Sequence, residues 1–355
     1  MLEAVSSGLK TDAERAERRE VDAKRANRVE EDLEAFQNVL ERFLANTALL
    51  LMDAPSTSTG VGRARVWLWA ARPKTLGAAI APVFVGTGMA VEADEWHLLS
   101  ATLALIGAVL IQIGVNYHND YADYVQGADT EDRVGPLRVT QAGLVAPETM
   151  RWATLLVFAL AVVSGIYLIV RGGWPILVVG LASIGAAVWY TAGRYSLAAL
   201  GLADLFVFVF FGPVAVGGTY YVQALSLSPE VLVAGAGPGL LSVAILMVNN
   251  VRDVAEDREA GKRTLVVRFG RRFGVVAYGV CVIGALMLAG LLAVGPFGAE
   301  MHPWAALPLA LLPLAVRPVH TMAATTDSER LNPLLGATGR ILLLWAVLFS
   351  IGWNL

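Results

Sequence analysis

Long apolar segments alternate with short polar gaps along most of this chain of 355 residues. From Val66 onward, each apolar segment is long enough for a helix of about 20 residues, which spans the ~30 Å hydrocarbon core of a bilayer. Backbone groups in lipid are satisfied only within helices or closed barrels, and unbroken apolar runs of this length favour helices. The pattern predicts an all-α, polytopic membrane protein with nine transmembrane helices. The predicted spans are residues 75–91, 98–116, 152–170, 174–191, 203–222, 231–249, 274–294, 303–320 and 338–354.

The first 60 residues have a different composition, with dense charges of both signs in runs such as "DAERAERREVDAKRANRVEEDLE". A helix is predicted there from about residue 11 to residue 51. We expect this extension to dock a partner or to lie on the membrane surface, because it has an apolar stripe at helical spacing. The stripe consists of Leu33, Phe36, Leu40, Phe43 and Leu44. The predicted domains are therefore residues 1–60, a charged helical extension and linker, and residues 61–355, the transmembrane domain. No nucleic-acid partner is expected.

Basic residues of the membrane part are concentrated on one side of the predicted topology. They precede the first span or follow the second, fourth, sixth and eighth spans, whereas the opposite loops carry acids and the single cation Arg171. Loops rich in Lys and Arg stay in the cytoplasm. The N-terminus is therefore predicted to be cytoplasmic, in a multi-pass protein of the cell inner (plasma) membrane.

One asparagine followed by two aspartates at helical spacing occurs twice. The members are Asn116, Asp120 and Asp123 in the first copy, and Asn249, Asp253 and Asp257 in the second. Each copy closes an even-numbered span on the predicted cytoplasmic side. Residues three or four apart share one face of a helix. The duplication predicts two four-helix halves that face each other across a central cavity, which opens towards the cytoplasm.

Two facing clusters of carboxylate and amide oxygens favour Mg²⁺, a hard cation that is completed by water and substrate phosphate oxygens. Such clusters carry too much like charge to stay without counterions, and divalent ions bridging to a polyphosphate relieve it. The expected metal ligands are Asp120, Asp123, Asp253 and Asp257. Basic residues near both copies are expected to contact the phosphates. They are Lys74, Arg133, Arg138, Arg258, Lys262 and Arg263.

Two segments, "NDYADYVQGADTEDRVGPLRVTQAGLV" and "NNVRDVAEDREAGKRTLVVRFG", resemble the aspartate-rich regions of the UbiA superfamily of membrane prenyltransferases. More narrowly, "ARPKTLGAAIAPVFVGTG" and "GLADLFVFVFFGPVAVGGTYYVQ" are similar to the branch that prenylates 1,4-dihydroxy-2-naphthoate in menaquinone synthesis. The resemblance covers about residues 66–355. It implies Mg²⁺-dependent transfer of a polyprenyl chain from its diphosphate to the naphthoate, with loss of CO₂ and diphosphate, to give demethylmenaquinone.

The family motif N-D-x-x-D-x-x-x-D corresponds to Asn119, Asp120 and Asp123, but Gly127 stands where its last acid belongs. Whether the later Asp129 replaces that acid is open. The second family motif, D-x-x-x-D, is complete at Asp253 and Asp257.

Taken together, the residues expected to act in catalysis are Asp120, Asp123, Asp253, Asp257 and Lys262. Those expected to bind substrate are Lys74, Asn116, Asn119, Arg133, Arg138, Tyr190, Asn249, Asn250 and Arg258. Cations stabilise a departing diphosphate, and an aromatic face stabilises an allylic cation. The aromatic candidates are Tyr117, Tyr121, Tyr190 and Tyr220. An alternative acceptor is 4-hydroxybenzoate or homogentisate. A transporter is a further alternative, although its polar groups would be expected at the membrane midplane rather than at helix ends.

Overall fold

The structure is a computed structural model that describes residues 62–127, 135, 137–191, 196–295 and 300–355. All of the described residues belong to one compact unit. The predicted N-terminal helix and its docking role, the linker, Arg133 and Asp129 lie outside the described residues. The division at residue 60 stays a prediction.

Every regular element in the described part of the chain is helical, which confirms the all-α prediction. The α-helices are α1 (Arg63–Ala71), α2 (Pro73–Glu92), α3 (Leu98–Gln126), α4 (Pro147–Gly172), α5 (Trp174–Thr191), α6 (Leu197–Leu200), α7 (Ala203–Val209), α8 (Ala215–Ala224), α9 (Pro229–Arg252), α10 (Val254–Glu259), α11 (Leu265–Phe269), α12 (Arg271–Ala293), α13 (Leu312–Ala324) and α14 (Asn332–Trp353). A π-helix joins α7 to α8, and 3₁₀ turns precede α13 and α14. These segments are Phe210–Val214, Pro303–Leu311 and Glu329–Leu331.

Eight of these helical segments are long and apolar enough to cross a bilayer. They match eight of the predicted spans. The remaining prediction, 174–191, falls on α5, whose apolar part Trp174–Tyr190 is shorter than the eight. The count of nine transmembrane helices is therefore not confirmed for the described residues, while the polytopic membrane class is.

Helix α3 continues well beyond the predicted end of its span at residue 116 and reaches Gln126. Its last turns carry Asn119, Asp120 and Asp123, all of which are buried. A hydropathy pattern ends where polar residues begin. The helix itself continues because these polar side chains find partners inside the protein rather than in lipid. The first motif thus lies on a helix and not in a loop.

The span at 203–224 is interrupted at its centre by a π-helical turn around Gly212 and Pro213. Proline lacks the N–H that an α-helix needs, so the ladder of hydrogen bonds is disrupted there. A Cβ atom built on Gly212 would lie 2.7 Å from the carbonyl oxygen of Gly235 in α9. Only glycine permits this backbone approach. The contact holds the segment that follows α7 against α9, the helix that leads to the second motif.

Helix α9 is the centre of the main core and packs against α2, α7, α12 and α14. A second, smaller cluster lies towards the C-terminal end of α3, where α1 and the segment before α4 cover it. Its buried members include Val66, Ala71, Tyr117, Val139 and Met150. Side chains on the outer faces of α4 and α5 are apolar and exposed, as expected for a surface that meets lipid. The two clusters position the two aspartate motifs.

Candidate active site

Asp120 lies in the C-terminal part of α3 and is almost completely buried, with 1% of its surface exposed. Its Oδ2 accepts a hydrogen bond from the main-chain N–H of Val139, and its Oδ1 accepts one from Thr140, both at 3.0 Å. The carboxylate therefore holds the loop before α4 over the end of α3. Each carboxylate oxygen has a second lone pair, so these bonds leave room for a metal ion.

Asp123 forms an ion pair with Arg138, and both side chains are buried. Arg138 precedes Val139 in the chain. One short segment therefore engages both aspartates of the first motif, one through a guanidinium and the other through main-chain N–H groups. The sequence predicted that Arg138 contacts substrate phosphate; the structure places it beside a predicted metal ligand.

Asn116 lies further back on the same helix and connects α3 to the corner between α1 and α2. Its Nδ2 donates to the carbonyl oxygen of Ala71 at 2.8 Å and to the hydroxyl of Thr75 at 3.0 Å. Gln112 donates weakly to its Oδ1 at 3.5 Å. These bonds occupy the amide donors of Asn116. Lys74 is at the same corner and is exposed.

The second motif lies where α9 ends and α10 begins. Asp253 interrupts the helix, yet its N–H still donates to the carbonyl of Asn249 at 2.9 Å, and the N–H of Asp257 donates to that of Asp253 at 2.8 Å. The helical spacing is therefore kept, and Asn249, Asp253 and Asp257 remain on one face. Asn249 itself is half-buried, and its Nδ2 bonds weakly to the carbonyl of Ile245 at 3.4 Å.

Each aspartate of the second motif has a basic partner. The guanidinium of Arg252 contacts both oxygens of Asp253, at 2.6 Å each. The Nζ atom of Lys262 lies 3.3 Å from Oδ1 of Asp257. Burial raises the pKa of the Asp257 carboxyl, the Lys262 ammonium lowers that pKa, and the neighbouring Asp253 and Glu256 carboxylates raise it further. A cation beside Asp257 therefore stabilises its charged, metal-binding form.

Tyr190 connects the two motifs in space. This residue is near the end of α5, and its hydroxyl interacts electrostatically with the carboxylates of Asp123 and Asp257, one from each motif. Asp204 in α7 acts on the same hydroxyl. In addition, the imidazole of His118 in α3 lies close to the backbone of Val188 in α5. A carboxylate from each half of the duplication therefore lies near Tyr190.

The other aromatic candidates are placed less favourably for a substrate. Tyr117 donates to the carbonyl of Trp67 at 3.3 Å and packs against that indole ring. Tyr220 is buried in the main core. Tyr121 packs against the cluster at the end of α3. Of the predicted tyrosines, Tyr190 is the one that the structure brings close to both motifs.

The donor set fits magnesium bound together with a substrate. Within the described ranges, no three His, Cys, Asp or Glu side chains are arranged to hold one ion by themselves. Instead the carboxylates come in two pairs, Asp120 with Asp123 and Asp253 with Asp257. Mg²⁺ is commonly bound by one or two carboxylates, and phosphate oxygens and water complete its shell. Paired carboxylates facing one space therefore suit metal ions that a diphosphate shares.

The remaining predicted substrate contacts differ in burial. Arg258 is exposed on α10, as is Lys74 on α2, whereas Lys262 is half-buried. Asn119 and Asn250 are both buried. In the part of the chain that the structure describes, the Nδ2 atom of Asn250 has no hydrogen-bond partner. A buried donor without a partner is costly, and a substrate oxygen would satisfy it.

Two residues at the site were not predicted, namely Arg252, which pairs with Asp253, and Asp204. Asp204 lies in the first turn of α7 and is buried, and neither carboxylate oxygen has a hydrogen-bond partner among the described residues. The signal was present in the sequence, because an acid inside an apolar span is a functional candidate. It was overlooked because Asp204 belongs to neither copy of the repeated motif.

A family model and several known proteins match this chain. The family model described as the UbiA prenyltransferase family matches residues 79–350. The chain is 41% identical over 220 residues to 1,4-dihydroxy-2-naphthoate octaprenyltransferase of Escherichia coli, covering 60% of this chain and 71% of the relative. It is 39% identical over 284 residues to the protein of that name in Mycobacterium tuberculosis, covering 79% and 94%. A solved UbiA homolog from Archaeoglobus fulgidus, bound to GPP and Mg²⁺, has the same fold: the TM-score is 0.59 at 14% identity, covering 82% of this chain and 100% of that one.

Proposed function

Because the chain belongs to the UbiA prenyltransferase family, we propose that it transfers a polyprenyl chain from polyprenyl diphosphate to 1,4-dihydroxy-2-naphthoate. CO₂ and diphosphate leave, and the immediate product is demethylmenaquinol, the hydroquinone from which a separate two-electron oxidation gives demethylmenaquinone. The observation that carries this conclusion is the likeness to 1,4-dihydroxy-2-naphthoate octaprenyltransferase of Mycobacterium tuberculosis, which extends over 94% of that relative. Both predicted aspartate motifs fall within the family match.

The substrate has a charged head and a long hydrocarbon tail, and the site suits both. The four motif aspartates lie at or just beyond the ends of membrane-spanning helices, and these helices are apolar along their length. We assign Asp120, Asp123, Asp253 and Asp257 to binding Mg²⁺ together with the diphosphate. The bound metal supplies charge stabilisation to the leaving diphosphate. The fold of a homolog solved with GPP and Mg²⁺ is consistent with this assignment.

Protein donors complete the diphosphate site in this proposal. Lys262 approaches Asp257 and is half-buried, so its ammonium is able to contact phosphate oxygens without full exposure to water. The amide of Asn250 offers a donor that has no partner in the described part of the chain. Tyr190 lies beside both motifs, and we assign its ring to stabilising the allylic cation as the diphosphate leaves.

The chain is an integral membrane protein, as its apolar helices and its family indicate. We further propose that it resides in the inner (plasma) membrane, with the active site opening towards the cytoplasm. The support is the concentration of Lys and Arg in the segments that carry both motifs, such as Arg252, Arg258, Lys262 and Arg263. The polyprenyl diphosphate then enters with its head at the cytoplasmic surface and its tail in the bilayer.

The test is a transfer assay with the purified protein in lipid vesicles. Radiolabelled polyprenyl diphosphate is offered with 1,4-dihydroxy-2-naphthoate, 4-hydroxybenzoate or homogentisate, in Mg²⁺ or in excess chelator. We expect a labelled lipid product and released CO₂ with the naphthoate, and none with chelator. Transfer to one of the other acceptors, but not to the naphthoate, would overturn the acceptor assignment. Solute uptake without any transfer would overturn the enzymatic function.

A further inference from the structure

Among the aspartates of the site, Asp204 differs from the rest because no group in the described part of the chain donates a hydrogen bond to its carboxylate. Asp120 accepts two main-chain hydrogen bonds, and Asp123, Asp253 and Asp257 each contact a basic side chain. Asp204 is only 8% exposed, and both of its carboxylate oxygens are buried without a hydrogen-bond partner in the described residues. Its own main-chain N–H lies close but not in hydrogen-bonding geometry.

The energetic balance argues that Asp204 is not a structural residue. A carboxylate in the first turn of a helix gains only a small stabilisation from the helix dipole. Removing a carboxylate from water without a compensating partner costs considerably more than that. The dipole therefore does not offset the burial. A residue kept in this state is expected to receive a donor from outside the protein.

Asp204 is also separate from the metal carboxylates. Its charge acts on Tyr190, as do the charges of Asp123 and Asp257. In the same place, the rings of Trp189 and Phe206 pack edge to face, with centroids 6.0 Å apart, and join the end of α5 to α7. None of the contacts that hold the motif aspartates involves Asp204, and its negative charge would repel a diphosphate. A ligand group that meets it belongs to the part of the substrates that is not the diphosphate.

We propose that Asp204 binds a ring hydroxyl of the aromatic acceptor and takes its proton during prenyl transfer, an inference that rests on the proposed function. The acceptor is the substrate with O–H donors, whereas the prenyl tail has none and the diphosphate offers acceptors. A carboxylate that accepts the hydroxyl proton pushes electron density into the ring as it attacks. Positioned general bases of this kind contribute about 10²–10⁴-fold to rates.

Prenyl transfer and decarboxylation together leave bonds and protons balanced. The carboxylate-bearing ring carbon bonds to the prenyl carbon, and the prenyl C–O bond breaks with its electron pair leaving on the diphosphate. The electron pair of the ring hydroxyl O–H bond forms a ring carbonyl, and the proton passes to Asp204. Loss of CO₂ then returns an electron pair to the ring, and Asp204 returns the proton to the carbonyl oxygen. Asp204 ends the cycle as it began.

The experiment compares Asp204→Asn with Glu230→Gln in vesicles. Glu230 is a matched control because it also lies in the first turn of a membrane helix, α9, with the same relation to the dipole. We expect Asp204→Asn to lower the turnover number about 100-fold or more, with KM for polyprenyl diphosphate unchanged, and Glu230→Gln to behave as wild type. The change is nearly isosteric and removes a buried charge, and thermal unfolding in detergent verifies folding.

Acceptor analogues separate a proton acceptor from a structural residue. Each monomethyl ether of 1,4-dihydroxy-2-naphthoate is assayed with wild type and with Asp204→Asn. For one of the two ethers, turnover by wild type should fall by the factor that Asp204→Asn causes with the parent acceptor. The variant should show no further loss of turnover when it is given that ether. The proposal would be overturned if Asp204→Asn lowered turnover by the same factor with both ethers and with the parent acceptor. If the variant does not fold, equal wild-type turnover with all three acceptors overturns it instead. Absence of wild-type turnover with the parent acceptor would indicate failure of the proposed function itself.

Discussion

The guanidinium of Arg138 and the carboxylate of Asp123 form a buried ion pair that joins the loop before α4 to the end of α3. The next two residues of that loop, Val139 and Thr140, bond to Asp120. A single short segment therefore orients both carboxylates of the first motif. The predicted phosphate contact of Arg138 becomes, in the structure, a contact with a predicted metal ligand.

We expect Arg138→Met to destabilise the protein and to abolish turnover. The change leaves Asp123 as a buried charge without its guanidinium, and breaking a buried ion pair from one side costs about 3–5 kcal/mol. Thermal unfolding in detergent and transfer activity in vesicles measure both effects. The double variant Asp123→Asn with Arg138→Met should recover part of the stability but none of the activity. Wild-type stability of the single variant would show that the pair does not hold the loop.

The two predicted lysines differ in their surroundings, and this sets the order of their effects. Lys262 is half-buried and lies 3.3 Å from Asp257, whereas Lys74 is exposed. A partly desolvated ammonium contributes more to a phosphate contact than an exposed one. We expect Lys262→Met to lower single-turnover rates at least about 10-fold and Lys74→Met to lower them less. Equal rates for Lys262→Met and wild type would remove Lys262 from the site.

The membrane class, most spans and both aspartate pairs were predictable because each leaves a local pattern in the sequence. Apolar length indicates a span, and spacing places Asp253 and Asp257 on one face. The end of α3 was not predictable in this way. Its polar residues bind to the loop at Arg138–Thr140, and a hydropathy pattern does not contain partners that come from elsewhere in the chain.

Asp204 and Asn116 show the same limit from opposite directions. The acid of "GLADLF" has no repeat, so its importance emerges only once the fold buries it beside Tyr190. Asn116 belongs to the repeat, and so was predicted to bind substrate, yet its amide protons are directed to Ala71 and Thr75. Spacing identifies residues that share a face. The tertiary partner on that face determines what each of them does.

The contacts of Asn116 predict a positional role that is measurable. Asn116→Ala leaves the carbonyl of Ala71 without this donor, whereas the hydroxyl of Thr75 keeps a donor in Gln112 at 3.3 Å. A buried acceptor left unpaired costs about 1–3 kcal/mol. We therefore expect a lower unfolding temperature, with the KM values of both substrates little changed. A large increase in KM for either substrate at unchanged stability would favour direct substrate binding by Asn116 instead.

The proposed orientation predicts which positions are accessible from the cytoplasmic side. In a Cys281→Ser background, single cysteines at Tyr124 and Glu259 mark the ends of the two motif helices, and both positions are exposed. A cysteine at the exposed Glu300 marks the opposite side. We expect an impermeant thiol reagent to label the first two only in inverted vesicles and the third only in intact cells. Labelling of Tyr124 and Glu259 variants from different sides would contradict a shared cytoplasmic opening.

The effect of losing a metal ligand can be distinguished from the effect of losing one negative charge at Asp257, because the same helix also contains the exposed Glu259. If Asp257 supplies a ligand oxygen to Mg²⁺ shared with the diphosphate, Asp257→Asn should raise the Mg²⁺ concentration for half-maximal turnover. Mutation of groups that only support a metal ligand changes metal affinity or activity about 10–100-fold. The loss of a ligand itself should therefore raise this Mg²⁺ concentration at least about 10-fold. Glu259→Gln removes one negative charge from the same helix and should leave the Mg²⁺ midpoint where it is in wild type. A common shift in both variants would indicate a general electrostatic effect, and an unchanged midpoint in Asp257→Asn would exclude Asp257 from the metal site.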